Sequence, residues 1–101
     1  MKKVIILSRE SLQTERFMKH VRAHQAAGEL NYEVELALYP KHLELIDAYK
    51  PDFVLFSTEV IAWKPELEKQ LAERGIPNAL VKGSHYGTAQ VLRIFNDSVK
   101  L

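Results

Sequence analysis

Hydroxyl and ionisable side chains gather in three short segments of this chain. The first, Ser8-Arg9-Glu10-Ser11-Leu12-Gln13-Thr14, places three hydroxyls and a pair of opposite charges between an apolar run and a helical pattern. The first amides of a helix lack intrahelical acceptors and carry a partial positive charge, so such a segment can seat an anion such as phosphate. The same residues have a plainer use, in which Ser8 or Ser11 caps the helix and Arg9 and Glu10 stand in water. Without the glycines of nucleotide-binding loops, the segment gives little support to nucleotide binding. The second segment, Ser57-Thr58-Glu59, suits helix capping in the same way. The third, Lys82-Gly83-Ser84-His85-Tyr86-Gly87, reads as a loop between two glycines. An imidazole with an ordinary pKa of about 6.5, as at His85, can shuttle protons, hold phosphate or simply face solvent. His20 and His24 stand four residues apart with no third ligand in reach, and His42 is isolated, so neither a metal site nor a cofactor is expected. Trp63, near a helix start, suits either exposed contact surface or the core, with the core as the default.

The elements that hold these segments follow from hydrophobic period. Lys3 to Leu7 and Asp52 to Phe56 are apolar on both faces, as strands buried between helices are. Residues 32–38 alternate, with Tyr32, Val34, Leu36 and Leu38 against Glu33, Glu35 and Ala37, which predicts an edge strand ended by Pro40. Asn78 to Val81 form a last strand, and Pro77 at its start suits the other edge. Between them, Leu12, Phe17, Met18 and Val21 mark a helix over 11–27 that stops at Gly28. Leu45, Ile46 and Tyr49 mark a second over 41–49. Pro65, Leu67 and Leu71 mark a third ending at Arg74-Gly75, and Val91, Leu92, Phe95 and Val99 a fourth. The alternation βαβαβαβα predicts one flavodoxin-like α/β domain over 1–101, a four-stranded parallel sheet in the order 2-1-3-4 with helices on both faces. Its site belongs at the carboxyl ends of the strands, where the order reverses between the first and third. All three hydroxyl-bearing segments fall there.

Composition narrows the functions. The chain has 101 residues, 47% hydrophobic and 27% charged, with 14 basic against 13 acidic side chains. A formal net charge of +1 gives no electrostatic case for nucleic acid or an anionic membrane. With no cysteine, thiol nucleophiles, disulfides and zinc-thiolate sites are excluded. No apolar run approaches the roughly 18 residues of a membrane span, and the opening Met1-Lys2-Lys3 flanks only four apolar residues, so a cytoplasmic protein without membrane insertion is expected.

Taken in order and at their spacing, several motifs resemble the IIB components of the bacterial phosphoenolpyruvate-dependent sugar phosphotransferase system, in particular the lactose/cellobiose type. They are Met1 to Leu7, Asp52-Phe53-Val54-Leu55-Phe56-Ser57-Thr58-Glu59-Val60, Gly75-Ile76-Pro77 and Tyr86-Gly87. The resemblance covers nearly the whole chain. It implies a phosphocarrier of sugar transport that takes phosphate from a IIA partner onto a cysteine ending the first strand. From there the phosphate passes to sugar bound in the membrane IIC transporter. Here Ser8 stands at the cysteine position, and Arg9, Glu10, Ser11, Leu12, Gln13 and Thr14 fall on the family's phosphate loop, of which Thr14 alone is kept. Ser57, Thr58, Glu59, His85 and Tyr86 belong to the neighbouring loops.

A serine hydroxyl ionises far less readily than a thiol, so Ser8 needs a base beside it to attack phosphorus, and Glu10 repels an incoming phosphoryl group while Arg9 offsets part of that repulsion. The expectation is a IIB phosphocarrier, weakened or inactivated by Ser8, so that phosphotransferase activity is left open. The alternative is a regulatory or protein-binding domain on the same fold. A receiver-like domain, suggested by Lys50 to Phe56 and by Lys82, is weakened by Ser57 at the phosphoacceptor position and by the absence of a fifth strand.

Overall fold

Seven consecutive residues that are apolar or extended, Lys2–Ser8 (β1), make the centre of the molecule in a computed structural model that describes residues 1–101. β1 pairs in parallel with Tyr32–Leu38 (β2) on one side and Phe53–Phe56 (β3) on the other, and β3 pairs with Asn78–Leu80 (β4). The sheet order is β2-β1-β3-β4. Residues Val4 to Ser8 and Phe53 to Phe56 are buried, as strands covered on both faces require.

Alternation along β1 and β3 divides the interior in two. Val4, Ile6, Phe53 and Leu55 pack with Phe17 and Val21 of Leu12–Ala26 (α1) and with Val91, Ile94 and Phe95 of Val91–Ser98 (α5). Ile5, Leu7, Val54 and Phe56 face the other way, toward Ile46 of His42–Tyr49 (α2) and Leu67 and Leu71 of Lys64–Glu73 (α3). Leu43, absent from the apolar face as read from the sequence, packs against this second cluster too. Gly28 and Gly75 stop α1 and α3 at φ of +74° and +67°, values that favour glycine.

Two expectations are corrected. The segment after β4 is a short helix, Gly83–Gly87 (α4), because burying Tyr86 against Phe17, with ring centroids 4.8 Å apart, outweighs the two glycines. Leu12 lies outside the core at 84% exposure, since the buried stripe of α1 runs through Thr14, Phe17 and Val21. At about 100° per residue Leu12 is roughly 200° from Thr14 and points to solvent. Trp63 lies between its two readings: it is half-buried at the margin of the second cluster, against Tyr39 at 4.4 Å.

β2 is an edge strand whose outer carbonyls are covered by α1: Arg22 Nη1 donates to Val34 O at 2.8 Å and Gln25 Nε2 to Tyr32 O at 2.9 Å. These bonds occupy acceptors that an added strand would use.

Candidate functional site

The parallel order carries the ends of β1 and β3 side by side, so Ser8 and Ser57, 49 residues apart, meet with their Oγ atoms at 2.7 Å. Ser11 caps α1: its Oγ accepts from the Thr14 amide at 3.0 Å and its carbonyl from the Glu15 amide at 3.0 Å. That cap turns Thr14 inward, where Oγ1 lies 2.8 Å from Ser8 Oγ and 2.9 Å from the Tyr86 hydroxyl. Ser57 caps the 3₁₀ helix Thr58–Trp63, accepting from the Glu59 amide at 3.2 Å. The carboxylate of Glu59 thereby swings over the cluster. Its Oε2 accepts from Ser11 Oγ at 2.9 Å, Thr14 Oγ1 at 3.0 Å and the Tyr86 hydroxyl at 3.2 Å.

These bonds can all run in one sense. Ser57 donates to Ser8, Ser8 to Thr14, and Thr14 to Glu59, while Ser11 and Tyr86 donate to the same carboxylate oxygen. Five hydroxyl protons are then used, and the chain ends on the one group present that can only accept when ionised. Ser8, Thr14, Ser57 and Tyr86 are each no more than 1% exposed, so unmade bonds here would carry the full cost of desolvation. Burial pushes the Tyr86 phenol above its usual 10, opposed by its hydrogen bonds to Ser8 and Thr14 and reinforced by the nearby Glu59. The phenol therefore stays a neutral donor at neutral pH.

The remaining candidates stand apart. Arg9 and Glu10 are exposed, and the Arg9 guanidinium lies 5.5 Å above the Trp63 ring. Leu12 and Gln13 face outward, and Thr58 is half-buried without a side-chain bond to the cluster. His85 is buried on α4, and its ring makes no hydrogen bond to any of the five hydroxyls. Ser8 thus has no imidazole beside it, and its one carboxylate neighbour, Glu59, is reached only through the hydroxyls of Thr14 and Tyr86. His20 and His24 are engaged separately, by Arg16 O and Glu29, and no group of acids and histidines gathers as a metal site.

Sequence reasoning missed an aromatic column beside the site. Tyr39 stacks on Trp63 and on His42, whose ring centroid is 5.5 Å away, and His42 Nε2 donates to Gln70 Oε1 at 2.7 Å. Its Nδ1 is buried without a partner. No sequence spacing signals this column, because its members come from three separate elements.

Comparison with solved structures supplies a neighbour in fold. The chain is similar to the lactose-specific IIB component domain of the phosphoenolpyruvate:carbohydrate phosphotransferase system from Streptococcus pneumoniae, with a TM-score of 0.74 over 98% of each chain at 15% identity. The two share a fold. No family model and no curated protein matches the sequence. The α/β architecture expected from the strand pattern, flavodoxin-like with the order 2-1-3-4, is the one observed. No helix is long and apolar enough to cross a membrane.

Proposed function

We propose that this chain is a IIB-like protein of the sugar phosphotransferase type that docks a IIA phosphocarrier without itself carrying the phosphoryl group. The observation that carries this reading is the state of Ser8. Its hydroxyl is fully buried, has Thr14, Ser57 and Tyr86 oxygens within 3.3 Å, and lacks a base in direct contact. Attack on phosphorus would require breaking that network and bringing a dianion beside the Glu59 carboxylate, in a place where like charges are poorly screened.

The docking surface is the rim around this closed centre. Leu12 and Ile61 are large apolar side chains at 84% and 54% exposure, and the half-buried Trp63 continues the patch. Arg9, Lys41 and Lys82 are exposed there and make no ion pair, alongside the exposed acids Glu10, Glu15 and Glu44. An apolar centre with unpaired cations beside it fits a partner surface that sets acids next to apolar residues. In this reading the protein works in the cytoplasm, with IIA and the membrane IIC transporter as its partners, and regulates or scaffolds transfer.

Calorimetric titration with a lactose-type IIA protein tests the proposal. Wild type and Ser8→Ala are expected to bind with the same affinity within about twofold, and Leu12→Asp to lose at least about tenfold, as the removal of a buried apolar contact does. No binding by wild type, or a complex lost with Ser8→Ala, would remove the reading.

A further inference from the structure

Three hydroxyl donors, two of them buried, converge on a single carboxylate oxygen at the end of β1, within 2.9 to 3.2 Å. Donors arranged this way are what an anion needs, and here a side chain of the same protein supplies the anion. We propose that Glu59 is an internal, permanent occupant of the site: its carboxylate holds the place of an external oxyanion and keeps the carboxyl end of the sheet closed. This rests on the reading of the chain as a non-carrier and adds a device to it, an autoinhibitory contact that makes docking independent of any phosphorylation of Ser8.

The local geometry is built for such a contact. The Ser57 cap fixes the start of the 3₁₀ helix, so Glu59 is held by its own amide on the same serine that touches Ser8. At the first turn of α1 the Thr14 amide is satisfied by Ser11, whose hydroxyl proton is left free to bond Glu59. Cap and carboxylate therefore depend on each other. Shortening Glu59 removes the acceptor on which the three donors converge: Tyr86 and Ser11 can turn to Thr14 Oγ1 and Thr14 to Ser8, but an anion seated in the vacated place restores all three charge-assisted bonds at once.

Chemical rescue tests this. Thermal unfolding of Glu59→Ala is expected to fall on the order of 10 °C below wild type, the size of change that the loss of charge-assisted bonds produces in a domain of this length. Sodium formate or inorganic phosphate should recover at least half of the loss, while sodium chloride at equal ionic strength should not. Glu59→Gln, whose amide fills the seat without charge, should be destabilised yet gain nothing from formate. Should Glu59→Ala not fold in plain buffer, the yield of refolding in formate against chloride gives the same reading. Equal recovery by chloride, recovery of Glu59→Gln by formate, or a Glu59→Ala that melts with wild type or ignores every anion would overturn the inference. Phosphoryl transfer onto Ser8 would instead end the non-carrier reading, whichever way the rescue turns out.

Discussion

The two ends of the sheet handle charge in opposite ways. At the carboxyl end, Glu59 is the head of a buried hydroxyl network, whereas at the amino end Arg74 and Asp47 pair at the surface, with Nε to Oδ1 at 2.6 Å and Nη2 to Oδ2 at 3.2 Å. The surface pair borders an open groove of about 480 Å³ whose walls include Lys50, Asp52 and Ile76. Its geometry is the better of the two, bidentate and short. Yet solvent competes for both partners, and exposed pairs of this kind contribute little to stability. At the carboxyl end each bond is individually ordinary, but those among Ser8, Thr14, Ser57 and Tyr86 are buried, where water does not readily replace one that is lost. What separates the two ends is access to water.

Substitutions rank that difference. Thr14→Val keeps the shape of the central residue and removes the one hydroxyl that touches Ser8, Tyr86 and Glu59, so urea denaturation should show a loss of about 2–3 kcal/mol. Tyr86→Phe deletes a peripheral donor and should cost about 1 kcal/mol at neutral pH. It should also change the alkaline limb. A phenol whose folded pKa is raised contributes stability below pH 10, where both states are neutral, and that contribution fades as pH rises through the folded value. Unfolding of Tyr86→Phe should therefore depend less steeply on pH above 10. Tyr49, raised mainly by burial, keeps part of the slope in the variant.

Arg74→Ala should change the melting temperature least, at the edge of detection. Hydrogen bonding to Arg74 holds the Asp47 carboxyl below its ordinary 3.8, so the small contribution of the pair is present above that pH and is lost as pH falls below it. A loss from Arg74→Ala as large as that from Thr14→Val would break the comparison.

The central strands and their order were readable because burial on both faces leaves an uninterrupted apolar run, and β1 and β3 each show one. Gly28 and Gly75 likewise announced the helix stops through a conformation few other residues tolerate. What escaped was polar burial. A hydrophobic pattern places Leu12 inside and is silent on Thr14, whereas the structure exposes Leu12 and buries Thr14, which is satisfied by partners 45 and 72 residues away. Ser8, Thr14, Ser57, Glu59 and Tyr86 all lay within segments expected to meet at the carboxyl ends of the strands. Their individual roles depended on which hydroxyl each loop turns inward, and that is decided by tertiary pairing. The segment from Gly83 to Gly87 escaped for a related reason, its helical turn being held by Tyr86 packing on Phe17 rather than by local propensity.

The proposed non-carrier role requires that the neighbours of Ser8 withhold it from phosphorus chemistry. Intact-mass spectrometry after incubation with phosphorylated IIA measures this directly, with a Ser8→Cys variant run alongside. Wild type is expected to keep its mass while IIA retains its phosphate. A stoichiometric gain of one phosphoryl group, mapped to Ser8 in the wild-type protein, would contradict it.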